Sequence, residues 1–386
     1  MIPRLLESQL RAYATWFPVV SVTGPRQSGK STLVKATFPE YSYLNLEDPQ
    51  LRQEASIDPV GFIRTRPEHL ILDEVQYVPE LFSMIQVASD ERNTPGQYIL
   101  SGSQNFLLLK RISQSLAGRV GILKLLPLSF SEVTNSQDIT ADEFMFHGGY
   151  PRPYDVSMPE SVFFESYLST YLERDVADYL DVRNLTSFRK FLSLCALRAG
   201  ALVNYASLAR DADIDARTAK SWLSMLESSY VLFFLSPYHS NEGKRLTKSP
   251  KLYFHDTGLL CHLLGIRSLD QLLTSPHLGE VFENLVIAET YKAYLNKGIE
   301  PRLFFYRDDS KAEIDLLDVT DETDRKAVEI KSGQTYHDTF ARHLTRLGGT
   351  LGVEPSNRHV VQRVEHSFNA QDATVLTPAD WLLNYN

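Results

Sequence analysis

Cysteine is scarce in this chain. Two of 386 residues, Cys195 and Cys261, carry thiols, and each sits among apolar neighbours. That excludes a disulfide framework and a cysteine-built metal cluster. No apolar run approaches the roughly 20 residues needed to cross a bilayer. No long apolar core of a signal peptide stands near the first residues either. The expectation is a soluble, cytoplasmic protein with no membrane partner. Positive charge is also in deficit: 39 Lys and Arg face 48 Asp and Glu, for a formal net charge of −9. A surface that coats nucleic acid all over is excluded, while a local basic face is not. Apolar content is ordinary, at 43% hydrophobic against 23% charged residues. Such a balance excludes wholesale disorder, and the length predicts two or three domains.

The strongest local signal is Gly24-Pro25-Arg26-Gln27-Ser28-Gly29-Lys30-Ser31-Thr32, which reads G-x-x-x-x-G-K-S. An apolar run at 17–22 precedes it and a helix-compatible segment follows, so strand, glycine-bounded loop and helix start come in the order that a nucleoside triphosphate requires. Loop N–H groups and the helix N-terminus favour phosphate charge. Lys30 is expected to reach the β- and γ-phosphates, and the Ser31 hydroxyl to ligate Mg²⁺. The expected cofactors are therefore ATP and Mg²⁺. Residues 69–74 form an apolar run ending in Asp73 and Glu74, as a buried parallel strand does when its carboxyl end meets a ligand. Asp73 would hold Mg²⁺ through its water shell, and Glu74 would polarise the attacking water. Residues 97–103 read as a further strand ending in Ser101 and Ser103; these hydroxyls suit either a γ-phosphate contact or a plain serine turn. Arg119 lies between a helix and the strand expected at 120–126. It suits either a subunit boundary, where it would reach a neighbour's γ-phosphate, or a helix C-terminus that favours cations.

Further on, apolar and aromatic residues at helical spacing fill 159–181. A short helix from Asn204, a tight turn and a helix over 216–227 then have the spacing of a helix-turn-helix. Strands at 231–235 and 251–255 would complete a winged helix. Its candidate DNA-binding cations are Arg217 and Lys220 on the second helix and Lys244, Arg245, Lys248 and Lys251 on the wing. Few base-reading side chains accompany them, so contact directed by DNA structure is expected over sequence readout. In the last third a long amphipathic helix at 279–297 carries Glu283. Strands at 302–306, 313–317 and 327–331 follow, and the latter two give D…E-x-K. Alternation puts Glu329 and Lys331 on one side of their strand. Asp315, Glu329 and Glu283 would hold Mg²⁺ beside a scissile phosphate, with Lys331 stabilising charge or orienting water.

These phrases carry a resemblance. The chain is similar to the AAA-type ATPases and, more narrowly, resembles the bacterial and archaeal family that joins such an ATPase to a C-terminal nuclease-like domain of unknown function. The likeness rests on the loop at Gly24 to Lys30, on Leu72-Asp73-Glu74-Val75-Gln76, Leu100-Ser101-Gly102-Ser103 and Leu116-Ala117-Gly118-Arg119. It continues through Gly148-Gly149-Tyr150-Pro151 and Tyr171-Leu172-Glu173-Arg174-Asp175. It implies an oligomerising ATPase in which Lys30, Ser31, Asp73, Glu74 and Arg119 match nucleotide-site positions, and Gly149-Tyr150-Pro151 lies in a helical lid over the nucleotide. The D…E-x-K pattern resembles the restriction-endonuclease-like PD-(D/E)xK superfamily, with Ile314 where a proline often stands. The expected fold is α/β: an AAA-type P-loop sheet at 1–135, a helical lid at 136–185, a winged helix at 186–270 and a nuclease-like α/β domain at 271–386. The expected function is an ATPase, working as a homo-oligomer on nucleic acid such as branched DNA. The alternative is a nucleotide-gated switch that binds a protein partner, with the nuclease-like fold as scaffold.

Overall fold

A computed structural model describes residues 2–102, 115–172, 185–239 and 249–385. The chain forms two compact units: residues 1–128 with 228–230 and 295–298, and residues 129–227 with 231–294 and 299–386. No helix among the described residues is long and apolar enough to cross a membrane. Both cysteines are buried and free, and burial pushes their thiols well above the ordinary range.

The first unit is built on a parallel sheet of five strands: β1 (Val19–Thr23), β2 (Ser42–Asn45), β3 (Leu70–Asp73), β4 (Tyr98–Gly102) and β5 (Val120–Lys124). Their order is β2-β3-β4-β1-β5. Strands β1, β3 and β4 are buried at every residue, as a sheet covered on both faces requires. Alternation along β3 sends Leu70 and Leu72 into one hydrophobic cluster with Phe62 and Phe82, and Ile71 into another with Leu33 and Val34. The register aligns the strand ends: Asn45 pairs with Asp73, Asp73 with Ser101, and Thr23 with both Gly102 and Lys124. All these carboxyl ends share one edge of the sheet, which is where open α/β sheets bind ligands.

The second unit centres on eight strands: β6 (Leu232–Pro237), β7 (Lys251–Phe254), β8 (Leu303–Arg307), β9 (Glu313–Asp318), β10 (Lys326–Lys331), β11 (Arg358–Gln362), β12 (Phe368–Asn369) and β13 (Thr374–Leu376). Their order is β12-β13-β11-β10-β9-β8-β6-β7. The helix Tyr205–Asp211 starts on an Asn204 cap. In the following helix, Ala216–Ser228, Asp215 accepts the N–H groups of Arg217 and Thr218. Such caps satisfy N–H groups that have no partner inside the helix. Trp222 anchors that second helix, meeting Phe188 and Phe191 edge-on at 5.2 Å. The hairpin read from the sequence as a wing is present as β6 and β7, but it is not an independent appendage. Strand β6 also pairs in parallel with β8, Ser236 opposite Phe304 and Pro237 opposite Phe305. One sheet therefore runs across the expected division at 270/271 and joins β6 and β7 to the strands bearing Asp315 and Glu329.

Candidate functional site

Of the residues expected at a nucleotide site, Lys30, Asp73, Glu74 and Ser101 lie at the carboxyl edge of the first sheet. The loop after β1 winds through left-handed backbone at Gln27 (φ 61°) and Gly29 (φ 92°), a sequence that turns successive N–H groups inward as an anion cradle. Gly24 is required by close approach, because a Cβ there would meet the Leu125 carbonyl oxygen at 2.0 Å. The helix Lys30–Thr37 then begins with Lys30. Its side chain is buried, and the ammonium donates to the carbonyls of Gly24 and Pro25 at 3.0 and 2.8 Å. Burial lowers the Lys30 pKa to about 8, against the opposing pull of Glu74 and Asp73. Ser28 Oγ is buried without a hydrogen-bond partner among the described residues. An orphaned hydroxyl and a desolvated ammonium folded back on its own loop fit a site that a phosphate chain completes. Outside the motif, Arg4 pins the loop by donating to the carbonyls of Ser28 and Leu126, both at 2.7 Å.

Asp73 is held between two hydroxyls. Ser101 donates to its Oδ1, and Tyr43, from the neighbouring β2, donates to its Oδ2 at 2.6 Å. Burial first, and the Asp73 carboxylate second, keep the Tyr43 phenol protonated well beyond the physiological range; Ser31 stands within hydrogen-bonding influence of the same phenol. Ser31 and Asp73 thus both neighbour the Tyr43 hydroxyl. Glu74 adopts left-handed backbone (φ 54°, ψ 39°), and Gln76 donates its amide to Glu74 Oε2. A non-glycine residue held in that region is characteristic of functional sites. Tyr43 and Arg4 carry no signature in the chain order, and Gln76 lies in the Leu72 to Gln76 stretch without a role read for it; the partnering of β2 with β3 alone brings Tyr43 to Asp73.

Arg119 stands at the other end of the strands. Its carbonyl accepts the Val19 N–H where β1 begins, and its guanidinium grips Asp90. The length of β1 separates it from the loop by about 15 Å. It therefore lies far from the nucleotide edge of its own sheet. Pro151 opens the helix Pro151–Asp155 and belongs to the second unit. Arg217 and Lys220 are exposed on the helix Ala216–Ser228. Ser103, Glu173, Arg174, Asp175, Lys244, Arg245 and Lys248 lie outside the described residues.

In the second unit the structure brings Glu283, Asp315, Glu329 and Lys331 together and adds residues that the sequence pattern did not. The β9–β10 register pairs Leu316 with Val328, so the next step sets Asp315 beside Glu329. Asp315 Oδ2 accepts the Ile330 N–H at 2.8 Å, and Lys331 lies 2.6 Å from Glu329 Oε1. Burial, then the nearby Asp315 charge, raises Glu329 to about 8. Lys251, expected on a solvent-facing wing, is instead 6% exposed and turned into this cluster. Its ammonium lies 2.6 Å from Glu313 and 3.3 Å from Glu283. Burial alone would lower its pKa, but Glu283, Asp315 and Glu313 outweigh that and hold it above its ordinary value. Tyr253 donates to the same Glu283 oxygen at 2.5 Å. Among the described residues no group of three His, Cys, Asp or Glu side chains stands in position to hold a metal ion. The carboxylates are cross-paired with ammonium, hydroxyl and backbone donors, so this arrangement does not fit a resident Mg²⁺ as it stands.

The first unit is thus a parallel sheet with a phosphate loop, an acidic strand end and a polar strand end at one edge, the arrangement of the P-loop ATPase class. Residues 17–134 match the AAA domain family, and residues 138–270 and 278–382 match two domains of unknown function (DUF8612 and DUF4143). The uncharacterized protein Rv2008c of Mycobacterium tuberculosis is 32% identical over 379 residues, covering 95% of this chain and 81% of the relative. The uncharacterized protein MJ1544 of Methanocaldococcus jannaschii is 23% identical over 329 residues, covering 77% of this chain and 71% of its own length. The chain belongs to the same family as Rv2008c, a family with an AAA-type P-loop domain followed by domains of unknown function. Among solved structures, the Walker-type ATPase PABY2304 of Pyrococcus abyssi aligns with a TM-score of 0.44 and 16% identity over 67% of this chain and 94% of its own. A variant of RuvB from Thermotoga maritima aligns with a TM-score of 0.30 and 17% identity over 59% of this chain and 86% of its own.

Proposed function

We propose that this protein hydrolyses ATP with Mg²⁺ at the edge of the first sheet and uses the cycle to act on structured DNA through its second unit. The observation that carries the hydrolysis reading is the convergence of Lys30, Ser31, Asp73, Glu74 and Ser101 at the aligned strand ends. Residues Gly24 to Thr32 cradle the phosphates, and Lys30 leaves the carbonyls of Gly24 and Pro25 for phosphate oxygens. Ser31 and Asp73 would hold Mg²⁺, which would supply charge neutralisation at the phosphates. Glu74, released or oriented by Gln76, accepts the proton of the attacking water. Arg119 lies too far from its own loop to serve it, so it acts on a second copy in a homo-oligomer, where it exchanges Asp90 for a γ-phosphate.

The helix-turn-helix spacing and the exposed cations Arg217 and Lys220 support DNA contact by the second unit, which the sequence reads as a winged helix joined to a nuclease-like domain. Phosphate release with and without a four-way junction tests both parts. ATP turnover that disappears in Lys30→Ala and rises several-fold on adding the junction is the expected result. Turnover indifferent to DNA would favour the other reading, a nucleotide-gated switch for a protein partner. The cross-paired carboxylates of the second unit speak for that alternative, since they describe a scaffold more than a cutting centre.

A further inference from the structure

Strand β7 faces the carboxylate cluster with two donors at alternate positions, Lys251 and Tyr253, and both converge on Glu283 Oε1. Alternation places residues two apart on the same side of a strand, so this is a property of the hairpin as a whole and not of one side chain. Lys251 also reaches Glu313 at 2.6 Å. Around it stand four carboxyl groups, Glu283, Glu313, Asp315 and Glu329, and two further cations, Lys331 and the Arg307 guanidinium 3.7 Å from Glu313. An oxygen-rich cluster of this kind suits a cation. A second observation points the same way. Glu329 Oε2 is buried and has no hydrogen-bond partner among the described residues, while its sister oxygen is engaged by Lys331; the residue as a whole is 7% exposed. A buried carboxyl oxygen without a donor is costly and calls for a partner such as a bound cation.

We propose that Lys251 is a built-in cation of this centre, lodged where Glu283 and Asp315 would otherwise share a divalent metal, and that it keeps the centre closed to Mg²⁺ and Mn²⁺. The ammonium sits 2.6 and 3.3 Å from its carboxylate oxygens here, whereas Mg²⁺ demands oxygen ligands at about 2.0–2.1 Å in octahedral array. The two cations also repel, so occupancy by one excludes the other. The hairpin therefore decides whether the cluster is a metal site. The cluster lies wholly within the second unit.

The test uses the full chain without nucleotide, with Mn²⁺ as probe, read by electron paramagnetic resonance of free Mn²⁺ and by thermal melting. Lys251→Met is expected to bind Mn²⁺ at least about tenfold more tightly than the wild type. The gain should vanish in the double variant Lys251→Met/Asp315→Asn. Removing one partner of a buried pair destabilises a fold, so Lys251→Met melts lower, and Mn²⁺ should restore its melting temperature while leaving the wild type's unmoved. Lys251→Arg, which keeps the charge, should behave as the wild type does. Wild-type binding of Mn²⁺ as tight as the variant's, and abolished by Asp315→Asn, overturns the proposal even if Lys251→Met fails to fold. A folded Lys251→Met that gains no Mn²⁺ affinity overturns it equally.

Discussion

The two units place a buried lysine beside carboxylates, and they do so to opposite ends. In the first, Lys30 has main-chain carbonyls as its hydrogen-bond acceptors; desolvation dominates and its pKa falls to about 8. In the second, Lys251 is met at 2.6 and 3.3 Å by carboxylates that overcome desolvation and hold its pKa up. A desolvated cation without a matching anion describes a site that waits for its ligand. A cation matched by its own chain describes one already complete. The same residue types therefore signal a ligand only when their internal partners are weak.

The largest expected effect breaks this comparison at Lys251. Lys251→Met should cost the fold about 3–5 kcal/mol, since it leaves the partly buried Glu283 and Glu313 without their buried ammonium partner. Denaturant titration measures it, and a loss below about 1 kcal/mol, the value of an exposed pair, would show that Lys251 is not the partner described. Next, Glu74→Gln keeps the shape of the side chain but removes the proposed proton acceptor. Turnover should fall by about 10²–10³-fold while binding of a fluorescent ATP analogue persists. Parallel loss of binding and turnover would assign Glu74 to the loop's architecture instead.

Lys30→Met carries the opposite sign to Lys251→Met. Below pH 8 the unfolded chain holds the Lys30 proton more tightly than the folded one, because the folded pKa of about 8 lies below the unfolded value of 10.5. The charged side chain therefore costs stability at neutral pH, and that cost shrinks as pH rises from 8 toward 10.5. Lys30→Met should raise the stability of the ligand-free protein by about 1–3 kcal/mol at about pH 7, and the gain should fade at about pH 10. A loss at neutral pH would mean that the carbonyls of Gly24 and Pro25 satisfy the ammonium fully. The smallest effect is Tyr43→Phe. It removes one donor from Asp73, worth about 1 kcal/mol, and should shift the Mg²⁺ concentration for half-maximal turnover several-fold with little change in kcat. An unchanged Mg²⁺ dependence would reduce Tyr43 to packing.

The first unit is largely legible in chain order. Its loop residues are contiguous, and the apolar strand that ends in Asp73 and Glu74 announces both its burial and its polar end. Tyr43 and Ser101 illustrate the limit. Each sits in a readable strand, but only the pairing of β2 with β3 and β3 with β4 delivers both hydroxyls to one carboxylate. Arg119 reads equally as a subunit-boundary residue and as a helix-end cation. Its distance from its own loop follows from the parallel register of β1 with β5.

The second unit shows where chain order misleads. Lys251 lies among cations of a segment that reads as a solvent-facing wing, and charge composition alone assigns it to phosphate contact. Its true partners, Glu283 and Glu313, lie far along the chain, on the helix Leu278–Asn296 and at the start of β9. They meet Lys251 because β6 extends the sheet of β8, β9 and β10. The local devices are written in the residues themselves: the phosphate loop, the buried strand that ends in acids, the capped helices and the alternation that puts Glu329 and Lys331 on one face. These depend on neighbours within a few residues. Only the tertiary structure decided which distant charges meet, and so which site stands open and which is neutralised from within, because an ion pair between strands is set by sheet register and not by sequence separation.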